Sequence, residues 1–191
     1  MRDTRFLLIR HAESTWNAAG RWQGHADPPL SARGRTQAEV LGAELVARGI
    51  DVLLASDLVR AAQTAAILGK ELGLEPTLDA RLRELDIGRW AGLTRAEIAE
   101  RDPEELARFE TGDPDVRAGG GESRRELRSR IREFVQQRSR QHAGLLVAVV
   151  AHMGAIRAMR PGLLLANTGW CLTSASEIAK LAPDAAPAAR D

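Results

Sequence analysis

Arg10 and His11 follow directly on the apolar run Phe6-Leu7-Leu8-Ile9, so a fixed cation and an imidazole arrive together at the end of what reads as a buried strand. Two further runs end alike. Val52-Leu53-Leu54-Ala55 leads through Ser56-Asp57-Leu58-Val59 to Arg60, and Leu145 to Val150 leads through Ala151 to His152. In an open parallel sheet these carboxyl ends share one rim, the place where ligands bind. Two arginines and two histidines at one rim repel unless an anion sits among them. Arginine forks match phosphoryl oxygens, and N–H groups at helix starts add to the attraction. The chemistry would be phosphoryl transfer. His11 would attack through one ring nitrogen while the other donates to a backbone carbonyl, with Arg10, Arg60 and His152 (as imidazolium) on the phosphoryl oxygens.

A leaving oxygen also needs a proton. The stretch Arg81 to Gly92 offers Glu84 and Asp86. Glu84 lies between Leu82 and Leu85, and a partly buried carboxyl there would suit a proton donor. Taken singly, each residue has a plainer reading. Arg10 would be a surface cation, Arg60 a solvated helix residue, His11 and His152 strand-end histidines, and Glu84 an ion-pair partner of a nearby arginine. The joint pattern favours the anion site.

These groups need a scaffold. Residues 5–9 read as a strand buried on both faces. Ser31 opens a helix with Ala38, Leu41, Leu45 and Val46 on its apolar face and Gly49 as its stop. Residues 51–55 read as a second strand, followed by a helix with Ala62, Ala65, Ala66, Leu68 and Leu72 inward. Thr77-Leu78 makes a short strand. Residues 94–109 read as helical with a break at Asp102-Pro103, residues 111–121 as a loop, and 122–141 as a charged amphipathic helix. Leu145 to Val150 is the most apolar strand. A short helix over 154–159 stops at Pro161, and 169–174 reads as a last strand. Strands alternating with helices predict an α/β fold, a mainly parallel sheet with helices on both faces. A single domain is expected over 1–181, with 94–121 as a short cap-like insertion and the Ala- and Pro-rich 182–191 as a disordered tail.

The 191 residues carry 27 basic and 26 acidic side chains, a formal charge of +1, so nothing points to nucleic acid or an anionic membrane as partner. One cysteine, Cys171, excludes an internal disulfide and a thiolate metal site, and no HExxH spacing occurs. The N-terminal apolar run is too short for a signal peptide, and no stretch is long enough to span a membrane. A cytoplasmic protein is expected, and a homodimer is compatible with the sequence.

The motifs together resemble the histidine phosphatase superfamily, the phosphoglycerate-mutase-like family, in its first branch. Leu8-Ile9-Arg10-His11-Ala12-Glu13-Ser14 with Trp16-Asn17 is similar to its signature. Gln23-Gly24, Ser56-Asp57-Leu58 with Arg60-Ala61, Glu84 with Gly88 and Trp90, Gly120-Gly121-Glu122-Ser123 and Ala151-His152-Met153-Gly154 follow in the family's order. The resemblance implies a three-layer α/β/α fold and a phosphohistidine formed on His11. It implies a phosphate pocket of Arg10, Arg60 and His152, with Glu84 as the acid. Asn17, Gln23 and Gly24 would line the pocket, and no metal or other cofactor is implied. Ala12 stands where glycine is commoner. Met153 replaces a common glycine and would narrow the pocket.

The end of the chain departs most from the family. Pro161 cuts the expected helix, which leaves open a shortened last part of the sheet. The short insertion carries Glu97, Glu100, Asp102, Glu104, Glu105, Glu110, Asp113 and Asp115 against few basic residues. That bias argues against a polyanionic substrate. It favours a phosphatase for a small-molecule phosphomonoester over a mutase, and both over a non-catalytic phosphate-binding module. Discrimination is expected in 94–121 and around Arg21, Trp22 and His25.

Overall fold

A computed structural model describes residues 3–181; the expected tail, 182–191, lies outside the described residues. The elements are, in order, β1 (Arg5–Arg10), α1 (Thr15–Ala18), α2 (Ala32–Leu45), β2 (Val52–Ala55), α3 (Val59–Leu72) and β3 (Thr77–Leu78). Then come α4 (Arg95–Arg101), α5 (Pro103–Glu110), α6 (Arg124–Gln141), β4 (Leu146–Ala151), α7 (Met153–Met159), β5 (Trp170–Ser174) and α8 (Ala175–Leu181). The sheet runs β3-β2-β4-β1-β5, parallel except for β5, which pairs antiparallel with β1.

The continuous apolar runs are explained by burial on both faces. In β4, Val147, Val149 and Ala151 face one layer with Phe6 and Leu8, under Ile131, Phe134 and Ile156 of α6 and α7. Leu146, Ala148 and Val150 face the other with Leu7 and Ile9, under Leu41 and Leu45 of α2 and Ala65 and Leu68 of α3. The architecture is α/β in three layers, as the sequence implied. Among the described residues no helix is long and apolar enough to cross a membrane.

Two helix faces differ from expectation. The inward residues of α3 are Arg60, Ala61, Thr64, Ala65, Leu68 and Gly69, whereas Ala62 and Ala66 are not buried. The helix is rotated so that its first turns aim polar groups at the sheet rim. Val46, placed on the apolar face of α2, is 58% exposed because the chain tightens into a short turn of different pitch over Val46–Arg48.

The insertion is built into the core. Ile98 and Leu106 are buried in the main cluster, and Trp90 is sealed under them with its indole N–H donating to Asp102 Oδ2 at 2.7 Å. Trp90 meets Phe109 edge-on at 5.7 Å and Trp22 at 5.9 Å. Trp90→Ala should therefore cost about 3–5 kcal/mol, against less than about 0.5 for Val46→Ser. Urea unfolding of the two variants checks this, and equal losses would contradict it.

Candidate active site

The register of β1 on β4 sets the site. Arg10 lies opposite Ala151, and the pairing runs one step further, with His11 N donating to Ala151 O at 2.9 Å. His11 and His152 therefore emerge side by side, their ring centroids 5.0 Å apart, close to the spacing of neighbouring strands. Ser56 N donates to Val150 O at 3.0 Å, so β2 ends at the same level and the first turn of α3 delivers Arg60 beside them.

His11 is buried, and its Nδ1 lies 2.7 Å from Ala12 O. A carbonyl only accepts, so Nδ1 carries the hydrogen and Nε2 keeps its lone pair. Burial, with Arg60 nearby, lowers its pKa to about 3. Arg60 is also buried, donating to Gly24 O and Ala26 O at 2.9 Å each. Desolvation lowers its pKa to about 10. Gly24 reaches Arg60 with a positive φ of 50°, and a β-carbon there would meet Ile87 Cγ1 at 2.5 Å. Arg10 donates to Leu165 O at 2.8 Å.

The hydrogen-bond partners of these cations are carbonyls, not carboxylates, and the fields of Glu84 and, at Arg60, Asp27 offset their charge only in part. Among the described residues six buried side-chain nitrogens lack a hydrogen-bond partner. Four of them belong here: Arg10 Nε, Arg60 Nε and both nitrogens of His152. Buried polar groups without partners are costly and call for a ligand.

Arg10, His11, Asn17, Gln23, Gly24, Arg60, Glu84 and Met153 all line one cavity of about 600 Å³. His152 does not: it is fully buried, behind His11. The imidazolium form of His152 is expected only against a phosphoryl group. Burial, then Arg60 and His11, push its pKa well below the ordinary value, so the ring is neutral here.

Glu84 is fixed at both carboxyl oxygens, by Leu85 N on Oε1 at 2.8 Å and Gly154 N on Oε2 at 3.0 Å. Its irregular segment is clamped by Arg130, which donates to the carbonyls of Arg81, Arg83 and Glu84 at 2.7, 2.7 and 2.8 Å while paired with Glu122. His25 does not line the cavity; its Nε2 donates to Glu84 O at 2.8 Å. Sequence reasoning missed Arg130, one of seven arginines in a helix whose pattern marks none of them. It also missed Asn167, whose amide donates to His11 O at 2.9 Å and Asn17 Oδ1 at 3.3 Å. The only signal for it was its place before the last strand.

The acidic bias of the insertion does not reach the cavity, which corrects the argument drawn from it. Glu97 pairs with Arg21, Asp102 and Glu105 with Arg89, Glu110 with Arg95, Asp113 with Arg108 and Asp115 with Arg125. From 94–121 only Phe109 and Gly112 line the cavity.

Two outcomes follow. A β-carbon on Gly154 would sit 2.2 Å from Glu84 Oε1, yet the position is helical, where alanine is favoured by about 1 kcal/mol. Gly154→Ala should keep its melting temperature and lose most of its turnover of p-nitrophenyl phosphate; retained turnover would refute the placement of Glu84. The histidines give a pH signature. Folded His11 stays neutral down to about 3, whereas the unfolded chain takes up that proton near 6.5, at about the ordinary value. Between those values the unfolded state binds more protons, so stability falls as pH falls. The melting temperature should drop from pH 7 to pH 4, less steeply in His11→Gln, and parallel slopes would contradict this.

The sequence profile described as histidine phosphatase superfamily (branch 1) matches residues 6–171. Phosphoserine phosphatase 1 of Hydrogenobacter thermophilus is 38% identical over 160 residues, 84% of this chain and 76% of that one. A metal-independent phosphoserine phosphatase of Arabidopsis thaliana is 35% identical over 176 residues, 91% of this chain and 74% of that one. Among solved structures, a mycobacterial glucosyl-3-phosphoglycerate phosphatase in complex with VO3 is similar, with a TM-score of 0.80 and 34% identity. The match covers 88% of this chain and 90% of that chain. The chain belongs to the histidine phosphatase superfamily, branch 1.

Proposed function

We propose that the protein hydrolyses a small-molecule phosphomonoester through a phosphohistidine on His11. The observation that carries this is the group of unpartnered donors of Arg10, Arg60 and His152 around a neutral His11 whose Nε2 is unprotonated. In the first step the Nε2 lone pair attacks phosphorus and the bond to the ester oxygen breaks. The proton of the Glu84 carboxyl goes to that oxygen, and the alcohol leaves. In the second step water attacks phosphorus and gives one proton to the Glu84 carboxylate. The P–N bond breaks, its electron pair returns to Nε2, and inorganic phosphate departs.

Arg10 and Arg60 hold the equatorial oxygens, and the phosphoryl charge opposes the burial and the Arg60 field that keep His152 neutral. Asn17, Gln23 and the Gly24 loop shape the phosphoryl end, and Met153 narrows it. The phosphatase names of the relatives support hydrolysis over mutase transfer. A cytoplasmic setting agrees with the lone cysteine.

Phosphate release from p-nitrophenyl phosphate should proceed in EDTA and without added bisphosphoglycerate. Rapid mixing should show a burst of p-nitrophenol and an acid-labile phosphoenzyme. His11→Ala should lower kcat by about a thousandfold or more and abolish the phosphoenzyme. Turnover surviving in that variant would refute the nucleophile.

A further inference from the structure

Beyond the phosphoryl end the cavity carries a second set of cations. Arg124 and Arg128 line it from α6, four residues apart and so on one face of the helix. Arg157 lines it from α7, one helical turn, about 5 Å, beyond Met153 and Gly154. Arg124 is held in place: its guanidinium stacks on the Phe109 ring at 3.8 Å, and Nη1 donates to Phe109 O at 2.7 Å. Arg157 Nε donates to Leu163 O at 3.0 Å. Among the described residues none of the three makes an ion pair. Asp113, the acid nearest in effect to Arg124, is occupied by Arg108 at 3.0 Å.

Arg124 feels the other two. Burial lowers the pKa of Arg124, and Arg128 and Arg157 lower it further. Arg157 also acts on Arg10, whose pKa falls mainly through its own burial. Arg157 thus couples electrostatically to both groups, with the phosphoryl end on one side and the outer pair on the other. Among the lining residues Glu84 is the only acid, and both its oxygens are engaged by backbone N–H groups. An ammonium group on a substrate would meet several cations and a single carboxyl, Glu84, which is held by two backbone N–H groups.

We propose that Arg124, Arg128 and Arg157 form a subsite for a second anionic group of the substrate. That group is a carboxylate or a second phosphate on a short carbon skeleton, and the preferred substrates are phosphorylated acids that carry no amine. This rests on the phosphatase reading above. It parts from the phosphoserine named for two relatives, because phosphoserine carries an ammonium beside its carboxylate.

The test compares kcat/KM for 3-phosphoglycerate, propane-1,3-diol bisphosphate, glycerol 3-phosphate and O-phosphoserine. It uses the wild type and the triple variant Arg124→Gln, Arg128→Gln, Arg157→Gln. The wild type should favour at least one doubly anionic probe over glycerol 3-phosphate and over O-phosphoserine by about tenfold or more, as one charge-assisted contact allows. Whether the carboxylate or the bisphosphate leads identifies the anion. In the triple variant these ratios should fall to near one; being ratios, they are insensitive to a general loss of activity. Equal rates in the wild type, a preference for O-phosphoserine, or unchanged ratios in the triple variant would overturn the subsite.

Calorimetry on His11→Gln separates the two readings. Tighter binding of 3-phosphoglycerate than of glycerol 3-phosphate, with no hydrolysis of any probe by the wild type, would keep the subsite and sink the phosphatase. Equal binding would sink the subsite.

Discussion

The parallel pairing of β1 with β4 is the constraint on which the site depends. With Arg10 opposite Ala151, the residue after each strand is a histidine, and the hydrogen bond from His11 N to Ala151 O carries the register past the strand end. A slip of one residue would send His11 to the other face of the sheet. What prevents the slip is the alternation of Val147 and Val149 against Ala148 and Val150, each set committed to a different helical layer. Core packing thus places the two imidazoles at 5.0 Å without any direct bond between them.

A second theme is how the cations are held. Arg10 uses Leu165 O, Arg60 uses Gly24 O and Ala26 O, and Arg130 uses three carbonyls in the segment that carries Glu84. Carbonyls orient a guanidinium without cancelling its charge. At Arg10 and Arg60 this preserves a positive field in a place where desolvation already works against it. Arg130, which has no place in the cavity, is paired with Glu122 instead. The division matches a pocket kept in readiness for an anion and a frame kept neutral.

Much of this was legible in the sequence because strand ends announce themselves. Apolar runs of β-branched and aliphatic residues stop sharply at Arg10-His11, Ser56 and His152, and the parallel sheet follows from the intervening helices. The burial of Arg60 was not legible. It depends on the rotation of α3, which Ala62 and Ala66 misreported because alanine is tolerated on either face of a helix. The acidic insertion misled for a different reason. Composition counts charges, whereas a site responds only to charges left unpaired, and the arginines facing those carboxylates are spread over Arg21, Arg89 and Arg125 as well as the insertion itself. Asn167 and Leu165 lay where local pattern was weakest, in a segment ordered by its contacts with β1.

Those late contacts bear on how the chain reaches its active form. Arg10 and Leu165 are 155 residues apart in sequence, His11 and Asn167 are 156 apart, and β1 has both its neighbours, β4 and β5, near the other end of the chain. On a ribosome adding about 5–20 residues per second, β1 waits several seconds or more for its partners. Helices α2 and α3 can pair with each other early, but the rim that gathers the cations closes only when the last strand has emerged. Assembly of the site waits for β5, and a nascent chain cut before that strand carries no formed anion pocket.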